Sequence, residues 1–126
     1  YNMGKLTLFC RAATTFSKNS GGVDEDAMRG YLQRFINARI GVVPGSSGSG
    51  EGFALSHGEL KRVFEISVAE CRGKIQVNGN PPEQHTAKAT KQLAQLAIDA
   101  KVDAVTLFPL AGWNGMKPTD LEQQAY

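Results

Sequence analysis

The sequence predicts an α/β fold of parallel strands joined by helices. Short apolar runs rich in β-formers alternate with amphipathic helical patterns about four times, at about 30 to 35 residues per unit. Such alternation implies right-handed strand–helix–strand crossovers and therefore parallel pairing. The helix-start signals sit where those crossovers need them, between an apolar run and the next periodic stretch.

In chain order, "KLTLFC" (Lys5 to Cys10) alternates apolar and polar positions and reads as a first strand. Asp24 can cap a helix running to Ala38, with Met28, Tyr31, Leu32, Phe35 and Ile36 on one face. "IGVVP" (Ile40 to Pro44) reads as a short buried strand. Ser56 and Glu59 form a capping box, S-x-x-E, that opens a helix with Leu60, Val63, Phe64 and Val68 inward. "KIQV" (Lys74 to Val77) is the expected third strand, followed by a turn over "NGNPPE". Thr86 to Ala100 is alanine-rich and helical, packing through Leu93, Leu96 and Ala97. "AVTLF" (Ala104 to Phe108) is the fourth strand, and Thr119 with Glu122 makes a second capping box. A closed eight-unit barrel averages about 30 residues per unit, so four units fit a small open sheet or half of such a barrel. The last residue, Tyr126, follows the second capping box so closely that we expect a chain cut short.

Composition narrows the function classes. The 126 residues carry 14 basic and 12 acidic side chains, a net charge of +2 spread along the chain, without the basic stripe of a nucleic-acid binder. The apolar runs are strand-length, and nothing resembles a membrane span or a signal peptide. We expect a cytoplasmic protein with no nucleic-acid or membrane partner. Cys10 and Cys71 lack CxxC spacing and read as buried free thiols. His57 and His85 are isolated, so no metal site and no cofactor are expected.

The segment from Gly41 to Glu59, "GVVPGSSGSGEGFALSHGE", holds the chemistry. A flexible linker is one reading of its glycine-serine tract, but a linker does not belong between an apolar strand and a capped helix. A phosphate cradle is a second. Gly45 and Gly50 satisfy GxxxxG, yet Glu51 and Gly52 stand where a P-loop needs Lys and Ser or Thr, and a carboxylate there repels phosphate. The third is a carboxylate-binding loop at the carboxyl end of a strand, where glycines let the backbone approach and serine hydroxyls donate.

Four motifs in register resemble the dihydrodipicolinate synthase / N-acetylneuraminate lyase family: "TTFSKNSGGVDEDAM", "GSGEGFALSHGELKRVFEI", "GKIQVNGN" and "DAVTLFP". The resemblance implies a (β/α)8 TIM barrel, of which residues 1–126 would be the amino-terminal half, about its first four βα units. It implies a class I lyase or aldolase that makes or breaks a C–C bond beside pyruvate or a related 2-oxo acid through a lysine Schiff base. It also implies a homo-oligomer, dimer or tetramer, for the full-length protein. The family's hydroxyl-rich loop carries over to Ser49 and Ser47 as proton-relay and carboxylate hydroxyls. Ser46, Gly48 and Gly50 join them as substrate contacts, and Trp113 is a candidate pocket wall. Where relatives often carry P-Y-Y after the fourth strand, this chain has Leu110 and Ala111 in a longer loop, which points to a side branch with a more apolar site. The family's Schiff-base lysine sits on the sixth strand, beyond these residues, and no lysine here substitutes for it. Lys61, Lys88 and Lys91 fall on helices, Lys74 and Lys101 precede strands, and Lys117 has polar surroundings that keep it protonated. The chain alone is therefore expected to be inactive. The alternative reading is a small α/β anion-binding module, or a non-catalytic half-barrel, without covalent chemistry.

Overall fold

The computed structural model describes residues 7–109. The start of the first expected strand, Trp113, Lys117 and the second capping box lie outside the described residues.

Strands β1 (Phe9–Cys10), β2 (Gly41–Val42), β3 (Asn78–Gly79) and β4 (Ala104–Val105) alternate with helices α1 (Glu25–Ala38), α2 (His57–Cys71) and α3 (Ala87–Asp99). β1 pairs with β2 and β3 with β4, both parallel, and a parallel bridge from Val42 to Val77 joins the two pairs. Spatial order thus follows chain order. Single hydrogen bonds prolong each ladder: Val43 N–H to Cys10 O (2.8 Å), Asn80 N–H to Pro44 O (3.0 Å) and Thr106 N–H to Gly79 O (2.8 Å).

The helices begin where their caps are. Asp24 accepts the Ala27 N–H at 3.0 Å, Ser56 accepts that of Glu59 at 3.2 Å, and Thr86 accepts that of Ala89 at 3.1 Å. α1 ends at Arg39, which takes a left-handed conformation and returns its N–H to the last turn. Met28 and Leu32 of α1, Val63, Ile66 and Cys71 of α2, and Ala12, Val42 and Val77 from the strand side make one buried cluster. Leu60 and Phe64 of α2 with Leu93 and Ala97 of α3 make a second. Leu96, expected among the packing residues of α3, is only partly buried, and Ala94 is buried with Leu93.

The third strand departs from expectation. It lies at Asn78–Gly79 rather than Lys74 to Val77, so part of the expected turn is strand. The cause is local: Lys74 and Ile75 both donate to the Cys71 carbonyl, and Gly73 has φ +75°, so α2 unwinds through Ile75. Extended backbone begins at Gln76, whose carbonyl accepts the Val42 N–H, while the Asp103 carboxylate caps the Val77 N–H at 2.8 Å.

The two cysteines also differ. Cys71 is buried; Cys10 is half-exposed, contrary to the expectation of two buried thiols. Burial pushes the Cys71 thiol up to about 11, assisted by the charges of Glu70 and Asp103 and opposed by Lys74. We therefore expect a thiol reagent at pH 7.5 to label Cys10 and to spare Cys71 in the folded chain. A raised folded-state pKa also stabilises the fold fully below the unfolded value near 9 and loses that contribution between pH 9 and about 11. Denaturant titrations should show that fall in the parent and a shallower one in Cys71→Ala; equal slopes would contradict it.

Candidate functional site

The glycine-serine loop leaves the carboxyl end of β2 and is tied down at its base. Ser46 is 1% exposed. Its Oγ accepts the Gly50 N–H at 3.0 Å, and its carbonyl accepts the Gly52 N–H at 2.9 Å. From the loop after β1, the Thr14 hydroxyl donates to the Gly50 carbonyl at 2.7 Å, and all of these groups are buried. The chain then makes one 3-10 turn over Gly52–Ala54 and enters α2 through the Ser56 cap. Removing either tie should loosen the loop. Ser46→Ala leaves a buried N–H without its partner and is expected to cost about 1–3 kcal/mol, with Thr14→Val near the lower end of that range. Urea unfolding checks both, and a loss below 0.5 kcal/mol for Ser46→Ala would contradict the tie.

The tip is built differently. Ser47 is half-buried, and Gly48 and Ser49 are exposed. The hydroxyls of Ser47 and Ser49, and the N–H groups of Ser47, Gly48 and Ser49, bond to nothing among the described residues. Only the Gly48 carbonyl is used, accepting the Glu51 N–H at 3.2 Å. The predicted residues thus divide in two. Ser46 and Gly50 spend their polar groups on each other as the loop's frame, while Ser47, Gly48 and Ser49 present donors outward. Trp113 lies outside the described residues.

The strand register assigns a second set of residues to one face of the sheet. Cys10, Val42 and Val77 are in register, and Val42 and Val77 face the helices. By alternation, Phe9 and Arg11 of the first strand segment, Asn78 and Asn80 of the third, and Ala104, Thr106 and Phe108 of the fourth share the opposite face. There the Arg11 guanidinium lies 5.1 Å from the centre of the Phe108 ring. Asn80 is 1% exposed and donates its Nδ2 to the Thr106 carbonyl at 2.8 Å. Thr14, Asn78 and Asn80 lie within family-like motifs, but neither they nor Arg11 carry a site role in the sequence reading. The signal that finds Arg11 and the asparagines is alternation, once the register is known.

Clefts of about 360 and 410 Å3 open around Lys74, Ile75 and Gln76 at the amino ends of the strands, away from the loop. A smaller groove of about 250 Å3, between Phe53, His57, Pro82 and Gln84, backs the loop at the start of α2. Among the described residues, no three His, Cys, Asp or Glu side chains are placed to hold a metal ion, and no helix is long and apolar enough to cross a membrane.

The model of the dihydrodipicolinate synthetase family matches residues 6–109. The 4-hydroxy-tetrahydrodipicolinate synthase of Methanopyrus kandleri is 36% identical over 93 residues, which are 73% of this chain and 30% of that protein. The crystal structure of dihydrodipicolinate synthase from Bacillus clausii aligns with a TM-score of 0.71 at 25% identity, covering 80% of this chain and 33% of that one. YagE, an E. coli prophage protein of the dihydrodipicolinic acid synthase family solved with pyruvate, aligns with a TM-score of 0.76 at 21% identity over 86% of this chain and 36% of that one. This chain spans about a third of the length of these relatives. Its alternating units align with the first third of their TIM barrels. The chain belongs to the dihydrodipicolinate synthetase family.

Proposed function

We propose that residues 1–126 form the amino-terminal, four-unit portion of a class I lyase or aldolase barrel, and that the loop tip binds the carboxylate of pyruvate or a related 2-oxo acid. One observation carries the reading. A loop at a strand's carboxyl end has its base locked by Ser46 and Thr14, while the donors of Ser47, Gly48 and Ser49 stand unspent among the described residues. Donors held in advance by a rigid frame bind an anion without the cost of ordering the loop. YagE holds pyruvate, and the same ligand is proposed here.

In this reading a lysine supplied by the rest of the barrel attacks the keto carbon. Water leaves, and the resulting iminium takes up the electron pair when the neighbouring carbon loses a proton. The enamine carbon then forms a bond to an aldehyde, or the reverse sequence breaks that bond. Ser47 and Ser49 carry the protons that move during dehydration and during protonation of the new alkoxide. The homo-oligomeric state implied by the family resemblance, and the cytoplasmic location expected from composition, belong to this proposal.

The test is a titration of the 15N-labelled chain with pyruvate. The amide signals of Ser47, Gly48 and Ser49 are expected to shift and saturate, and a double Ser47→Ala, Ser49→Ala variant to bind at least tenfold more weakly. Saturable shifts confined to another region, or none, would overturn the assignment.

A further inference from the structure

We draw no further inference here: the strongest candidate, the cleft of about 410 Å3 at the amino ends of the first three strands that Arg39 and Lys74 line, is an open surface of exposed cations, and nothing in the structure shows what covers it.

Discussion

Gly52→Ala is expected to destabilise the chain by about 3 kcal/mol. A Cβ at that position would overlap the Gly45 carbonyl oxygen, and it would also press on the Pro82 ring at 3.2 Å. The backbone it strikes has nowhere to go. Gly45 has φ +88° and lies against the Phe64 ring, where even a methyl group would come within 2.8 Å of the aromatic edge. The two glycines therefore pack the loop's exit against its entry, and one added carbon forces them apart. Gly48→Ala is the control, because its Cβ would meet nothing within 4 Å. Denaturant unfolding of the two variants should separate them by most of the 3 kcal/mol; equal midpoints would mean that the loop repacks freely and is not the rigid frame described above.

Phe64→Ala is expected to cost about 3–5 kcal/mol, the largest effect of any side-chain truncation we anticipate. Phe64 is fully buried between Leu60, Leu93 and Ala97, so its removal leaves a cavity where α2 meets α3. It also carries the underside of the loop at Gly45. Small domains hold only about 5–15 kcal/mol in total, so the variant should lose much of its cooperative transition at 25 °C. The accompanying signature is local: the amides from Gly45 to Gly52 should lose hydrogen-exchange protection before those of α1. A loss under 1 kcal/mol, or uniform exchange, would contradict the linkage between core and loop.

The helices were legible in the sequence because each announces its start with a capping side chain and its inward face with a 3.6-residue period. Asp24 and Ser56 act where the pattern places them, whereas Thr86, read as the first residue of the third helix, is its cap. The third strand was not legible in place. "KIQV" has the composition of a strand, but the glycine at 73 keeps Lys74 and Ile75 in the α2 turn, and pairing with β4 falls on Asn78 and Gly79, which composition assigns to a turn. Local propensity lost there to tertiary pairing.

The candidate site was half legible. Sequence identified the serine loop but not which of its five hydroxyl and glycine positions form the frame, since that depends on which hydroxyl turns inward. Burial separates Ser46, whose Oγ is held by Gly50, from Ser47 and Ser49. The shared face of Arg11 and the asparagines was not legible, even though the asparagines lie in a quoted motif, because it depends on the register of four strands.

The central claim is that this chain is one part of a Schiff-base barrel whose lysine lies outside residues 1–126. Intact mass after incubation with pyruvate and borohydride tests it most directly. The full-length protein should gain the mass of one reduced pyruvate, and residues 1–126 alone should gain none. A full-length protein that stays unmodified, or an adduct on a lysine of the short chain, would contradict the account.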